Sequence, residues 1–138
     1  MIVDTADLAL QIGVKAFIKN RAGKYLMLLR AKPYEGETKC KWDIPGGRIK
    51  LRETLGDALA REVKEETGMK LSGIPKIIYA QDILRSEKKH VVRLTYIAKA
   101  SGNIKLEAAV HSEYAWFTLR EIKKLYHDSY LTPVLGLL

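Results

Sequence analysis

The chain has 138 residues, of which 47% are hydrophobic and 29% are charged. That length corresponds to one ordinary domain, and that composition argues against a disordered, collagenous or coiled-coil protein. The 24 Lys and Arg residues exceed the 16 Asp and Glu residues, and the resulting net charge of +8 favours an anionic partner. A charged surface that serves only solubility is the alternative interpretation.

Features that report on cellular location point to the cytoplasm. Cys40 is the only cysteine, so no intramolecular disulfide can form, which is typical of a reducing compartment. No apolar run approaches the roughly 20 residues that are needed to cross a membrane. The N-terminus contains Asp4 and Asp7 and lacks the positive and apolar regions of a signal peptide.

The first half of the chain is predicted to begin with a β-hairpin. β-Branched and aromatic residues predict strands over Ile12–Ile18 and Tyr25–Leu29, and a turn signal at residues 20–23 joins them. A polar loop follows over residues 31–41. The Pro-Gly-Gly sequence at 45–47 then interrupts any regular element, and its glycines allow the backbone to approach a ligand closely.

The second half alternates helices and strands, which predicts an α/β fold with a mixed sheet. A helix is expected between an N-cap at Thr54 and a stop at Gly68, because Thr54 and Asp57 fit the capping pattern. Thr118 and Glu121 repeat that pattern. The remaining expectations are strands over Lys76–Leu84, Val91–Ala98 and Tyr114–Phe117, a helix that continues to about His127, and a short helix within Tyr130–Leu138 that is broken at Pro133.

The helix after Thr54 carries an unusual group of acidic residues. On a helix that turns about 100° per residue, Glu62, Glu65 and Glu66 fall on one stripe. The face predicted to pack on a sheet comprises Leu59, Val63, Gly56, Thr67 and Ala60. Like charges at i,i+4 cost about 0.2–0.5 kcal/mol, and carboxylates near a helix C-terminus oppose the macrodipole. The stripe therefore indicates either a tolerated, solvated face or a site for a hard divalent cation.

Residues 47–69 resemble the signature of the Nudix hydrolases, G-x5-E-x7-R-E-U-x-E-E-x-G-U, in which U is a bulky apolar residue. Every specified position is filled, by Gly47, Glu53, Arg61, Glu62, Val63, Glu65, Glu66, Gly68 and Met69. The resemblance extends more weakly to residues 42–46 and 113–117. It implies an α/β/α sandwich with a central mixed sheet, a loop–helix–loop catalytic motif, and a single domain over residues 1–138.

The resemblance also implies a metal-dependent chemistry. Nudix proteins hydrolyse nucleoside diphosphates that are linked to another group, with Mg²⁺ or sometimes Mn²⁺. The matching positions give the metal ligands Glu62, Glu65 and Glu66, a further candidate ligand in the backbone carbonyl of Gly46, and supporting roles for Glu53 and Arg61. Divalent cations neutralise phosphate charge, and a carboxylate, with Glu66 as a candidate, accepts a proton from the attacking water.

Three positions depart from patterns that are common in this family. Arg52 precedes the first glutamate of the signature, where the family often has Gly, and Lys50 stands where it often has Glu. Val110 occupies a position where many members carry an acidic residue. Glu113 is therefore the preferred candidate for a fourth ligand or a general base. Glu107 is the alternative, and a surface carboxylate with no role in the site is the other interpretation.

Candidate contacts to the substrate lie in and before the signature. Arg48, with other basic residues of its loop, is a candidate for contact with the phosphate chain, although exposed loop charges explain it equally well. Trp42, Tyr34 and Ile44 are candidates to stack on or border a base. Trp42 fits a core anchor just as well.

Residues 41–47 resemble the MutT-like branch, which cleaves nucleoside triphosphates to a monophosphate and pyrophosphate, and this is the predicted activity. The alternatives are hydrolysis of ADP-ribose or a nucleotide sugar, and a non-catalytic module that binds a nucleotide or RNA. The expected partner is a small nucleotide. A nucleic acid is not favoured because no aromatic–basic RNA motif is present, and no membrane partner is expected. A monomer and a homodimer are both compatible with the sequence, since a dimer interface would leave no sequence pattern distinct from that of a core.

Overall fold

The computed structural model describes residues 9–138, so Asp4 and Asp7, on which the signal-peptide expectation depends, lie outside the described residues. Strands and helices alternate along the described chain. The strands are β1 (Ala9–Ile18), β2 (Tyr25–Arg30), β3 (Trp42–Asp43), β4 (Gly46–Arg48), β5 (Lys70–Ser86), β6 (Lys89–Ser101) and β7 (His111–Phe117). The helices are α1 (Leu55–Thr67), α2 (Leu119–Lys124) and α3 (Thr132–Leu135), with a 3-10 turn over Ser129–Leu131.

The strands form one mixed sheet and one antiparallel sheet. The mixed sheet has the order β4-β1-β6-β5, with β1 and β6 parallel and the other neighbours antiparallel. The second sheet has the order β3-β2-β7 and is antiparallel. The predicted α/β fold with a mixed sheet is confirmed. β5 and β6 are longer than predicted, because they continue as one antiparallel pair out to Lys70 and Ser101.

The predicted hairpin between β1 and β2 is wrong, although its turn forms. The side chain of Asn20 accepts hydrogen bonds from the N–H groups of Ala22 and Lys24, and Lys19 bridges to Tyr25. Beyond that bridge, β1 pairs with β4 and β6, whereas β2 pairs with β3 and β7. Distant strands therefore satisfy the backbone groups of both strands, and a local turn signal does not reveal them.

Alternation along β1 and β2 sends side chains into two core layers, one on each face. The layer next to α1 contains Val14, Ala16, Ile18, Leu26 and Leu28, together with Ala58, Leu59 and Val63 of α1. The layer next to α2 and α3 contains Phe17, Tyr25, Met27 and Ile44, together with Ile122, Leu131, Val134 and Leu135. Helices thus cover both faces, as the resemblance implies.

Both predicted helix caps are present. The hydroxyl of Thr54 accepts a hydrogen bond from the N–H of Asp57, and Gly68 ends α1 with a φ of 74°. Thr118 and Glu121 form a reciprocal capping box at the start of α2. These local signals fix where the catalytic-motif helix begins and ends.

The C-terminal helices differ from their predicted extent. α2 ends at Lys124 rather than at about His127. Pro133 lies in the first turn of α3, where a missing N–H costs nothing, so it starts that helix instead of breaking it. Within the described residues, no helix combines the length and apolar character that crossing a membrane demands.

The buried face of α1 is rotated from the predicted one. Gly56 and Ala60, which were expected to pack, are exposed, whereas Ala58 and Glu66 are buried. The helix packs on β1, β4 and β5, and the rotation turns part of the acidic stripe inward. Hydrophobic periodicity does not predict a buried carboxylate, so this orientation indicates a role for Glu66 beyond packing.

Candidate active site

A cavity of about 270 Å³ lies where all seven strands, α1 and the loop at 31–41 contribute side chains. Its basic lining residues are Lys15, Arg30, Arg48, Arg85 and Arg93, and its acidic ones are Asp43 and Glu66. Gly46, Gly47 and His111 also line it. The cavity therefore combines an excess of positive charge with a carboxylate of the Nudix-like motif.

Arg61 of α1 binds three carboxylates of the motif at once. Its Nε and Nη2 atoms lie 2.7 and 2.9 Å from the two oxygens of Glu53. Its Nη1 atom lies 2.9 Å from Glu62 Oε1 and 3.3 Å from Glu65 Oε2. Nη2 also donates to the carbonyl oxygen of Arg48 at 3.0 Å, which ties the helix to β4. The hydrogen bonds from Arg61 lower the pKa of Glu53 to about 2, and those bonds raise the pKa of Arg61 itself.

The two glycines at the start of β4 allow close contacts within the protein. Gly46 has a φ of 151°, and a Cβ atom there would clash with the carbonyl oxygen of Val14. A Cβ atom on Gly47 would lie 2.6 Å from the carboxyl group of Glu62. The N–H of Gly46 donates to Glu66 Oε1 at 2.7 Å. The glycine pair thus positions Glu62 and Glu66 against the strand.

Glu66 and His111 form a buried pair of titratable groups in the cavity wall. Burial raises the pKa of Glu66 to about 7, and the charges of Glu62 and Asp43 act in the same direction, against Lys15. The His111 Nδ1 atom lies 3.7 Å from Glu66 Oε2 and has no hydrogen-bond partner among residues 9–138. Burial, followed by the charge of Lys15, lowers the pKa of His111 to about 4, so its ring is neutral at pH 7.

The donor set fits a hard divalent cation. Glu62, Glu65, Glu66 and Asp43 offer only oxygen atoms, which Mg²⁺ prefers. Burial is the main cause of the raised pKa of Glu66, and the negative charges of Glu62 and Asp43 add to it, so a nearby cation would favour the ionised carboxylate. Across the described residues, no three His, Cys, Asp or Glu side chains already converge on one point. Glu62 and Glu65 lie instead on the guanidinium of Arg61.

Comparison with known proteins identifies the family. A family model described as NUDIX domain matches residues 9–135. The chain belongs to the Nudix family. This Nudix chain is 27% identical over 97 residues to a MutT-like protein of Streptomyces ambofaciens, and the match covers 70% of the chain and 60% of that protein. It is 30% identical over 117 residues to an ADP-ribose pyrophosphatase of Methanocaldococcus jannaschii, and this match covers 80% of the chain and 64% of that protein. The chain thus spans less than two thirds of the length of these curated relatives.

Solved structures share the fold of this Nudix chain. A MutT Nudix hydrolase from Burkholderia pseudomallei superposes with a TM-score of 0.79 and 26% identity, over 93% of this chain and 97% of that chain. A MutT protein from Methanosarcina mazei gives a TM-score of 0.78 and 28% identity, over 94% of this chain and 93% of that chain. The Nudix fold implied by the sequence resemblance is confirmed.

Two of the four predicted substrate contacts line the cavity of the Nudix chain. Arg48 and Tyr34 do so. Ile44 is fully buried in the core layer next to α2, so the prediction that it borders a base is wrong. Trp42 packs edge-to-face on Phe117 with ring centroids 5.2 Å apart, as a core anchor does. Successive side chains of an extended segment point to opposite sides. Asp43 faces the cavity, so its neighbours Trp42 and Ile44 face the core.

The structure does not bring Glu113 to the cavity. Glu113 is exposed on β7, and the alternative, Glu107, is exposed in the preceding turn. Val110 and His111 line the cavity instead. The group that β7 supplies to the site is therefore a neutral imidazole rather than a carboxylate.

The backbone conformation at Arg52 accounts for the glycine that is common at this position in the family. Its φ is 68°, the single positive φ among the described residues other than glycine. A glycine would adopt this left-handed conformation without the penalty that a side chain imposes. Arg52 therefore stores backbone strain in the loop that precedes Glu53.

Sequence reasoning missed five charged residues of the cavity wall. They are Lys15, Arg30, Asp43, Arg85 and Arg93. A signal was present for two of them, since Lys15 and Arg93 interrupt apolar strands at points where burial is expected. A charged residue in such a place usually has a partner or a ligand. Lys15 does have one, because its Nζ atom lies 2.9 Å from Asp43 Oδ2.

Proposed function

We propose that this Nudix chain is a Mg²⁺-dependent pyrophosphohydrolase of nucleoside diphosphate derivatives, with a nucleoside triphosphate as the favoured substrate and a monophosphate plus pyrophosphate as products. The observation that carries the proposal is the position of Glu66. This buried carboxylate, held by the Gly46 amide, lies in the wall of a cavity that five cationic side chains also line. Such a site can bind both a divalent cation and a phosphate chain.

The metal ligands in this proposal are Glu62, Glu65 and Glu66, with the carbonyl oxygen of Gly46 as a further candidate. When bound, a divalent cation, Mg²⁺ or in its place Mn²⁺, neutralises phosphate charge and lowers the pKa of an attacking water. Arg61 positions Glu62 and Glu65, because it links these two carboxylates through one rigid guanidinium.

Other residues of the chain supply charge and proton transfer. Glu66 is the proposed acceptor of the proton from the attacking water, because its buried carboxylate lies in the cavity wall. Arg48 contributes a positive charge to the cavity and is the proposed contact for the phosphate chain. Tyr34, which lines the same cavity, is the proposed neighbour of the nucleoside. Water adds to one phosphorus, and the bond from that phosphorus to the bridging oxygen breaks.

The test is a panel of nucleoside triphosphates, nucleoside diphosphate sugars and ADP-ribose, assayed with Mg²⁺ and with Mn²⁺, with both products identified. We expect turnover that requires the metal and collapses in Glu66→Gln, since a glutamine can still accept the Gly46 hydrogen bond and preserve the fold. Glu87→Gln is the matched control, because Glu87 is exposed in the β5–β6 turn. Glu113→Gln tests the remaining carboxylate candidate, and full activity would exclude Glu113 as ligand or base.

A second candidate is hydrolysis of ADP-ribose or a nucleotide sugar. It is favoured by the 30% identity to a protein named ADP-ribose pyrophosphatase. A sugar phosphate and a nucleoside monophosphate as products would establish it. Tight binding of a nucleotide with no turnover across the panel would instead favour a non-catalytic binding module.

The proposal extends to the organisation and location of the protein. Residues 1–138 are proposed to fold as one Nudix domain, which a single cooperative unfolding transition would support. A cytoplasmic location is proposed from the lone Cys40, and fractionation of cells would test it. Light scattering in solution would distinguish a monomer from a homodimer.

A further inference from the structure

Three arginines of the cavity wall, Arg30, Arg85 and Arg93, form what we call the arginine cluster. They come from β2, which is distant in sequence, and from the consecutive strands β5 and β6. Arg93 is only 4% exposed, yet its Nε and Nη1 atoms have no hydrogen-bond partner among residues 9–138. The Nε atom of Arg30 is likewise buried without a partner. Buried donors of a charged group are expensive to leave unpaired, so they indicate a ligand.

One buried carboxylate, Asp128, lies next to the cluster, but its oxygens are already engaged. Arg85 Nη2 lies 3.0 and 3.1 Å from its two oxygens, and the Tyr34 hydroxyl donates to Oδ2 at 3.1 Å. The N–H of Tyr130 donates to Oδ1 at 3.0 Å. The closest approach of Arg93 is 3.9 Å, from Nη1 to Oδ2, which is too long for a hydrogen bond. Asp128 therefore orients Arg85 and leaves Arg93 unsatisfied.

The remaining acids near the cavity do not balance the cluster either. Asp43 is paired with Lys15 at 2.9 Å, and Glu66 accepts from a backbone amide. Burial lowers the pKa of Arg48, and the positive charges of Arg93 and Arg85 lower it further. The guanidinium groups of Arg85 and Arg93 thus lie close enough to Arg48 to repel it. An anionic ligand would remove this repulsion and satisfy the open donors at the same time.

We propose that the arginine cluster binds a phosphoryl group of the substrate that is additional to the two phosphates of the cleaved anhydride. The inference rests on the proposed function, because the cluster and Glu66 line one cavity. Guanidinium groups bind phosphate oxygens through paired, charge-assisted hydrogen bonds, which matches the open donors of Arg93 and Arg30. The additional group is either the terminal phosphate of a nucleoside triphosphate or a phosphate on the ribose.

Matched pairs of nucleotides that differ by one phosphoryl group test this assignment. ATP against ADP reports a terminal phosphate, and NADPH against NADH reports a ribose phosphate. We expect kcat/KM of the unmutated protein, and Kd of Glu66→Gln, to favour the more phosphorylated member of one pair by about tenfold or more. Kd is measured in the Glu66→Gln background with Mg²⁺ present, so binding is read without turnover.

Arg93→Met and Arg30→Met should each reduce that preference to within about threefold. Arg30→Met serves as the second variant should Arg93→Met fail to fold, because Arg30 is only half-buried. Arg120→Met is the control, since Arg120 is exposed on α2. The proposal is overturned if neither pair shows a preference, or if the preference survives in both cluster variants. Turnover of no nucleotide would refute the proposed function alone, because the Kd ratios would still test the cluster.

Discussion

The close approach of Gly47 to Glu62 leads to a sharp prediction for Gly47→Ala. A Cβ atom at Gly47 would lie 2.6 Å from the Glu62 carboxyl group, whereas ordinary contacts begin at 3.4 Å. The carboxylate must therefore move by about 0.8 Å, the difference between those two distances. Glu62 Oε1 is held by Arg61 at 2.9 Å, so the displacement disturbs the proposed metal ligands rather than a free side chain.

The expected consequence is a loss of activity with a modest loss of stability. A displacement of about 1 Å in a catalytic group costs about 100-fold in rate, so kcat/KM with Mg²⁺ should fall by about that factor. Overpacking should lower the free energy of unfolding by about 1–3 kcal/mol, which leaves the protein folded at 25 °C if its stability is ordinary. Urea unfolding and steady-state kinetics measure the two effects separately.

Gly56→Ala is the matched control, since it makes the same substitution within the same motif. Gly56 is exposed on α1, and a Cβ atom there would meet nothing within 4 Å. Its activity should be unchanged and its stability should rise by up to about 1 kcal/mol. Full activity in Gly47→Ala, with the same requirement for Mg²⁺, would show that Gly47 does not position Glu62 for catalysis.

Three further predictions concern strain, protonation and packing. Arg52→Gly should raise the free energy of unfolding by about 1 kcal/mol, because the φ of 68° costs a glycine little; urea unfolding that shows a loss would contradict this. Glu66 has a pKa of about 7 in the folded protein against 4.5 when unperturbed, so its contribution to stability is present below pH 4.5 and lost as pH rises through 7. Without divalent metal, the unfolding free energy of the unmutated protein should therefore fall relative to Glu66→Gln by about 3 kcal/mol between pH 4.5 and 8, and parallel pH profiles would refute that pKa. Ile44→Ala should lower stability by about 2–5 kcal/mol and leave KM unchanged, whereas a selective rise in KM would restore the predicted contact with a base.

Local sequence signals predicted the catalytic-motif helix well. The caps at Thr54 and Gly68 depend on hydrogen bonds within four residues, so neighbouring residues are enough to identify them. The i,i+4 spacing of Arg61 and Glu65 likewise follows from helix geometry, and the structure shows that ion pair. These parts of the site are encoded by contacts that are short in sequence.

Long-range pairing accounts for what the sequence did not reveal. β1 pairs with β4 and β6 rather than β2, and no local pattern identifies those partners. Arg93 and Asp128 are distant in sequence and meet only because β6 and the C-terminal segment pack together. The inward rotation of Glu66 also opposes hydrophobic periodicity, because the site retains a buried carboxylate that packing alone would exclude.

The role of Glu66 in hydrolysis is tested by comparing kcat/KM of Glu66→Gln with that of the unmutated protein, on the best nucleotide of the panel at saturating Mg²⁺. We expect a fall of about 100-fold or more, with Glu87→Gln unchanged and with Glu66→Gln folded by circular dichroism. Equal activity in the two proteins, with the requirement for Mg²⁺ intact, would contradict the claim that this buried carboxylate carries the hydrolysis.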